Sequence, residues 1–375
     1  MHWASDDTTR RIFIMLTNSC NLKCSYCYEI GKHIASVNVD AIKQVLMDEF
    51  SNREYHRYVV SFHGGEPFLA FEQMKDISEW IWRNFKGKNI SINVTTNGTI
   101  LNPIIKEWLI ANKHAFKIIL SLDGKASTHN VNRDNSFDKI DKEFILSIYE
   151  ERPTAKMTIT DRNISKLYEN FIYLYELGFM PDPSIAAGVD WNIERDLPIF
   201  EKQISQLIDF FIEHPQLPLC SMFNIPLHKY SPLFKTNSCG FCGTGKTTIA
   251  YDVYGNKYPC HTFISNLSKP YNKEEIESVF LKLQNINESY NYSPCHNCKF
   301  SISCSPCFGM NYTKRGNLYA LDTDKCAFMK STILATAKLY ATALSRSDEY
   351  IWLKNKKAKE MIHIALGVKK IISSN

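Results

Sequence analysis

Cys20, Cys24 and Cys27 fall within eight residues, in the run Cys20-Asn21-Leu22-Lys23-Cys24-Ser25-Tyr26-Cys27. Three thiols at this spacing are one ligand short of a tetrahedral structural zinc or a fully ligated iron–sulfur cubane. A three-thiolate loop leaves one iron of a [4Fe–4S] cluster without a protein ligand, and a small chelating molecule can bind there. A partial zinc site, or three unrelated buried thiols, is the other reading of these eight residues alone.

A second group of thiols lies far downstream. Cys239, Cys242 and Cys260 are followed by Cys295, Cys298, Cys304, Cys307 and Cys326. Eight thiols make two complete four-thiolate sites, which a pair of zinc ribbons would suit about as well as clusters. Cys220 is left over and reads as a buried apolar side chain, with a catalytic thiol the minor alternative. The run Gly240-Phe241-Cys242-Gly243-Thr244-Gly245-Lys246-Thr247 fits the phosphate-loop pattern, but that loop needs a strand before it and a helix after it. Here a polar run precedes it. Gly255-Asn256, between Tyr251 and Tyr258, reads as the two-residue turn of a β-hairpin. The match is read as coincidence.

The elements that must position these thiols lie between 11 and about 213. Short β-branched runs at 11–17, 58–63, 90–96, 116–122, 155–160 and 184–189 alternate with amphipathic stretches at 39–52, 71–85, 103–113, 137–150, 163–177 and 198–213. Six β–α units in a row predict a parallel sheet covered by helices, with the ligand site at the carboxyl ends of the strands. Polar and glycine motifs fall at four such ends: the cysteine loop, Gly64-Gly65-Glu66-Pro67, Thr95-Thr96-Asn97-Gly98 and Ser121-Leu122-Asp123-Gly124. Singly, Gly-Gly and Asn-Gly mark ordinary turns; their shared place is the signal. Gly64 and Gly65 allow close backbone approach. Ser121 and Asp123 have the chemistry to bind ribose hydroxyls. Arg133 has the chemistry to pair with a carboxylate, unless it is a solvated charge in the polar stretch 129–136.

Composition is that of an ordinary globular chain: 375 residues, 44% hydrophobic, 22% charged. A net charge of +5 does not argue for nucleic acid. No apolar run has the length of a membrane span and the N-terminus lacks a signal-peptide pattern, so a cytoplasmic protein is expected. In a reducing compartment, twelve cysteines point to metal or catalysis before disulfides. Residues 327–370 read as helix, and the basic run Lys354-Asn355-Lys356-Lys357-Ala358-Lys359 as a solvated face.

The Cys-x3-Cys-x2-Cys loop with Tyr26 before its last cysteine resembles the radical SAM superfamily, as do Gly64-Gly65-Glu66-Pro67 and the run Asp123-Gly124, His129-Asn130, Arg133. Asn130 stands where that family usually has Asp. The downstream cysteines resemble a SPASM domain, although two residues rather than three separate Cys304 from Cys307. The resemblance implies an α/β fold: a partial (β/α)6 TIM barrel, then a cysteine-rich SPASM domain with two auxiliary clusters, then a C-terminal helix. The implied division is an extension at 1–10, barrel at 11–213, bridge at 214–238, auxiliary-cluster domain at 239–326 and helical tail at 327–375.

Three [4Fe–4S] clusters and S-adenosyl-L-methionine are the implied cofactors. Cys20, Cys24 and Cys27 would hold the first cluster; Cys239, Cys242, Cys260 and Cys307 the second; Cys295, Cys298, Cys304 and Cys326 the third. Tyr26, Gly64, Gly65, Glu66, Asn97, Ser121, Asp123 and Arg133 would contact S-adenosylmethionine. The residues around Cys260 and Cys307 look like the branch that matures ribosomally made peptides by oxidative crosslinking. The implied partners are a precursor peptide and an electron donor of flavodoxin or ferredoxin type, with nucleic acid not expected. No leader-binding extension is seen before residue 11, so a separate recognition protein or the tail is expected to take that role. Two alternatives stand: an anaerobic sulfatase-maturing relative forming formylglycine, and a non-catalytic iron–sulfur or zinc module. The sulfatase branch carries an acceptor Asp where this chain has His261, which makes His261 the catalytic candidate here.

Overall fold

Alternation decides the architecture. Ile12, Ile14, Val60, Phe62, Ile92 and Val94 pack in one apolar core under helices, so their odd-numbered neighbours face the other side of the sheet. In a computed structural model, residues 8–234, 242–285, 295, 297–304 and 306–373 are described. Six strands run parallel: β1 (Thr9–Met15), β2 (Arg57–His63), β3 (Ile90–Thr96), β4 (Phe116–Ser121), β5 (Thr154–Ile159) and β6 (Met180–Ile185). Strand β7 (Thr248–Tyr251) joins parallel beside β1, and β8 (Lys257–Tyr258) antiparallel beside β7, giving the order β6-β5-β4-β3-β2-β1-β7-β8.

Helices α1 (Val39–Ser51), α2 (Phe71–Asn84), α3 (Pro103–Asn112), α4 (Ala126–Asn132), α5 (Lys142–Ile148), α6 (Leu167–Glu176) and α7 (Ile193–Glu213) alternate with the strands. The fold is α/β, a partial (β/α)6 TIM barrel followed by a cysteine-bearing region and C-terminal helices. Asx residues set the helix starts. Asn38, Asn102, Asp141 and Asn192 each accept an amide of their own first turn.

The structure departs from expectation in six places, the last of them the hairpin loop. Strand β6 lies at 180–185, not 184–189, because Met180 N bonds to Pro153 O just before β5 and Ala186 N to Ile159 O at its end. That two-residue repeat turns Pro181 and Pro183 toward the open edge, where a missing N–H costs nothing. Helix α4 occupies part of what read as a polar stretch; at seven residues it is too short to carry a periodic signal. The expected helix 137–150 is a 3-10 turn, Phe137–Lys139, then α5, capped afresh by Asp141. Helix α7 starts at Ile193 because Asn192 caps it, with Pro198 accommodated inside. The tail is three helices, Thr323–Leu344, Ile351–Lys354 and Ala358–Ser373.

The hairpin is present, but its loop is longer than two residues. Asp252 Oδ1 accepts from Tyr254 N and Asn256 N and organises the loop between β7 and β8. No helix of the described residues is long and apolar enough to cross a membrane.

Candidate active site

The cysteine loop leaves β1 at the carboxyl edge of the sheet. Its backbone is held by groups at the end of α4: Ser25 N donates to Asn132 O (2.9 Å) and Lys23 N to Asp134 Oδ2 (3.1 Å). Asp134 and Asn135 adopt left-handed φ values of 55° and 50°, strain that persists because this clamp over-determines them. Cys20, Cys24 and Cys27 are half-buried. Burial pushes the Cys24 thiol up to about 11, with Arg133 opposing and Cys27 and Cys20 adding to the rise, so the three thiols are close neighbours.

Gly64 and Gly65 back the same loop. Gly65 N donates to Thr17 O (3.0 Å) and Glu66 N to Ser19 O (2.8 Å). A Cβ at Gly65 would overlap the Ser19 carbonyl, and Gly64 has φ 151°. The close approach they permit is therefore first to the cysteine loop itself. Glu66 is buried, and its carboxylate is filled by Thr96 Oγ1 (2.7 Å), Asn97 N (2.8 Å) and Phe68 N (3.1 Å). Asn97 reaches Asn21 Oδ1 at 2.9 Å, a further tie to the loop.

Asp123 is fully buried. It accepts from Tyr26 OH (3.1 Å), Thr158 N (2.9 Å) and Arg133 Nη2 (3.0 Å). The Arg133 guanidinium also lies 5.1 Å from the Tyr26 ring centroid. Arg133 is thus not the surface charge that its polar neighbourhood suggested. Ser121 ends β4 half-buried, in register with Lys156 of β5. Lys156 in turn pairs with Asp182 of β6 at 2.9 Å.

Eight buried side-chain polar atoms among the described residues have no partner. Five of them, His63 Nε2, Asn93 Oδ1, Asn132 Nδ2, Arg133 Nε and His261 Nδ1, belong to the inner face of the sheet or its carboxyl rim. An unpaired buried polar atom costs about 1–3 kcal/mol, so this concentration fits groups that meet a polar ligand. A carboxylate suits the unpartnered Arg133 Nε.

Among the described residues no three His, Cys, Asp or Glu side chains meet where one ion would bind. A single zinc needs its ligands about 2.3 Å from one centre. A cubane takes each thiolate on a different iron, so its ligands stand apart. Three thiolates on one loop are the donor chemistry that a [4Fe–4S] cluster with one open iron would take.

Downstream, Cys260 is buried and Cys242 and Cys307 are half-buried. Burial pushes the Cys260 thiol up to about 12, and Cys307 and Cys242 are near enough to add to it. Cys304 is pushed up to about 11 by burial, with Lys325 opposing and Cys326, Cys295 and Cys298 adding. The thiols therefore gather in two sets. Cys239 lies outside the described residues. Cys220 is buried in an apolar core.

Among the described residues of the phosphate-loop match, the amides of Gly245 and Lys246 bond within the chain, and β7 rather than a helix follows.

Residues that sequence reasoning passed over complete the site. His63, the last residue of β2, stacks on His261 with centroids 5.2 Å apart, and Phe13 of β1 lies 4.6 Å from His261. Burial lowers the pKa of His63 to about 3 and of His261 to about 4, so both rings are neutral near pH 7. His63 directly precedes Gly64, and its place at a strand end was the available signal. Asn132, Asp134 and Tyr28 carried none.

Residues 14–152 match the radical SAM superfamily. The chain is 23% identical to the cysteine-type anaerobic sulfatase-maturating enzyme of Clostridium perfringens, over 77% of this chain and 85% of that protein. It is 24% identical to the antilisterial bacteriocin subtilosin biosynthesis protein AlbA of Bacillus subtilis, over 68% of this chain and 55% of that protein. The solved structure of native anSMEcpe with bound AdoMet and Cp18Cys peptide superposes with a TM-score of 0.69 at 21% identity, over 90% of this chain and 99% of that one.

Proposed function

With a radical SAM domain over residues 14–152 as the starting point, we propose that the chain is an enzyme that modifies a ribosomally made peptide by closing an oxidative crosslink: thioether, carbon–carbon or ether. The observation that carries this reading is the unpaired, buried Arg133 Nε in a guanidinium beside Cys24 and Tyr26, a carboxylate site next to a three-thiol loop. When bound, S-adenosylmethionine on a [4Fe–4S] cluster supplies a 5′-deoxyadenosyl radical that takes hydrogen from a substrate carbon.

Cys20, Cys24 and Cys27 hold that cluster, and Arg133 takes the carboxylate. Asp123 fixes Arg133 and Tyr26. Gly64, Gly65, Glu66 and Asn97 set the loop and contact the amino group, and Ser121 takes the ribose. Cys242, Cys260 and Cys307, with Cys239, hold one auxiliary cluster; Cys295, Cys298, Cys304 and Cys326 hold the other. Clusters held there would supply a one-electron acceptor for the crosslinking oxidation. His261 is the candidate for handling the substrate's proton. A peptide substrate is supported by the peptide bound to anSMEcpe and by the bacteriocin role of AlbA.

Formylglycine formation is a second reading, favoured by the likeness to the Clostridium perfringens maturating enzyme. Anaerobic reconstitution with iron, sulfide, dithionite and S-adenosylmethionine tests both. Release of 5′-deoxyadenosine is expected, and its absence would leave a non-catalytic metal-binding module. With a Cys-containing precursor peptide, loss of two hydrogen atoms per event marks crosslinking. Replacement of a thiol by an aldehyde oxygen marks formylglycine.

A further inference from the structure

Cys27 and Cys260 belong to different candidate clusters, and each is followed in the chain by an aromatic ring, Tyr28 and His261. Those two rings meet, with centroids 6.1 Å apart at 53°. From Cys27 to Cys260 the path is therefore covalent except for one ring–ring gap. We propose that Tyr28 and His261 form the electronic bridge between the Cys20–Cys24–Cys27 site and the site holding Cys260, an inference that rests on the proposed clusters.

The gap is clamped on both sides. Beyond Tyr28, Ile30 N donates to Ser265 O and Leu267 N to Ile30 O, both at 2.9 Å, which ties the end of the cysteine loop to the segment after His261. Behind His261, Phe13 lies 4.6 Å away and His63 stacks at 5.2 Å. Electron tunnelling falls steeply with each ångström of gap, so a fixed ring contact sets a fixed rate.

Packing alone does not account for the pair. His261 buries Nδ1 without a partner, a desolvation cost that phenylalanine would not incur. A core needing only volume there would be more stable with an apolar ring.

The step is a single electron transfer. One site is oxidised by one electron, the other reduced by one, and no proton moves and no bond breaks. The electron enters from a one-electron donor of the iron–sulfur or flavin class. In this step Tyr28 and His261 carry an electron and no proton, so the test reads spectra rather than turnover.

Anaerobically reconstituted full-length protein is reduced with substoichiometric dithionite, and redistribution between the two cluster signals is followed by freeze-quench EPR. Tyr28→Leu and His261→Leu are each expected to slow redistribution by about tenfold or more, with iron content and midpoint potentials unchanged. Tyr28→Phe and His261→Phe, which keep a ring, are expected to stay within about threefold of the parent. Parental rates in both leucine variants, with both clusters intact, overturn the bridge and leave the proposed function standing. Zinc in place of iron in the parent protein overturns the function, and the bridge with it.

Discussion

Asp123 and Arg133 form an ion pair at 3.0 Å with both side chains almost wholly withdrawn from water, 0% and 7% exposed. The pair joins the end of β4 to the end of α4, and Tyr26 of the cysteine loop donates to the same carboxylate. It therefore transmits the position of the sheet to the thiols. Removing one partner of such a pair leaves a buried charge unpaired and costs about 3–5 kcal/mol. Asp123→Asn is expected to lower unfolding free energy by that order in anaerobic urea titrations. Tyr26→Phe, which removes one of Asp123's hydrogen bonds, is expected to cost about 1 kcal/mol. Equal losses in the two variants would mean the ion pair is not the organising contact.

Gly65→Ala isolates the cysteine loop from the rest of the molecule. The added Cβ would overlap the Ser19 carbonyl and crowd Cys20 Cβ. Backbone must move, at a cost of about 1–3 kcal/mol. The variant is expected to lose iron and the EPR signal of the first site while the signals of the downstream sites survive. Full iron at the first site would show that the loop tolerates displacement.

The sheet and the rim motifs were legible because their signals are local. Strand alternation, Gly-Gly and Asp-Gly each act within a few residues. What lay hidden was whatever depends on pairs distant in sequence. Nothing in the run 129–136 shows that Arg133 folds back onto Asp123, or that Asp134 clamps Lys23. His63 reads as a strand terminus until His261, far downstream, stacks on it. Gly64 and Gly65 were read as approach points for a ligand. The structure puts the Thr17–Cys20 backbone against them, a use of small residues that local sequence cannot distinguish from ligand contact.

Glu49 is the joint between the barrel and β7–β8. Its carboxylate, 7% exposed, accepts from Arg10 Nε and Nη2, Tyr251 OH and Lys257 Nζ, each at 2.8 Å. Burial alone would raise its pKa, but Arg10 and Lys257 outweigh burial and hold it below the usual value. Glu49→Gln is expected to cost about 3–5 kcal/mol, because Arg10 is then buried without its counter-charge. Lys257, 44% exposed, is worth less, and Lys257→Ala is expected to cost no more than about 1 kcal/mol. Thermal unfolding of the two variants side by side checks the contrast, and a reversed order would discount the joint.

His129 gives the fold an acid limit. It is buried, and its pKa falls from 6.5 to about 3 through burial first and then Arg133 and Lys142. Asp123 N faces Nδ1 at 3.4 Å and Nε2 lies 3.0 Å from Ser136 Oγ, an arrangement that suits the neutral ring. In the unfolded chain the ring takes up a proton near its ordinary value, whereas the folded chain does not until about pH 3. Between those values unfolding binds a proton, so stability is full above about pH 6.5 and falls as pH falls. The slope is about 1.4 kcal/mol per pH unit for one such histidine. His63 and His261 act in the same direction. Urea unfolding at pH 7.5 and 5.5 is expected to show a loss in the parent protein that is smaller in His129→Gln by about 1 kcal/mol. The same loss in both proteins would mean that His129 is already charged in the fold.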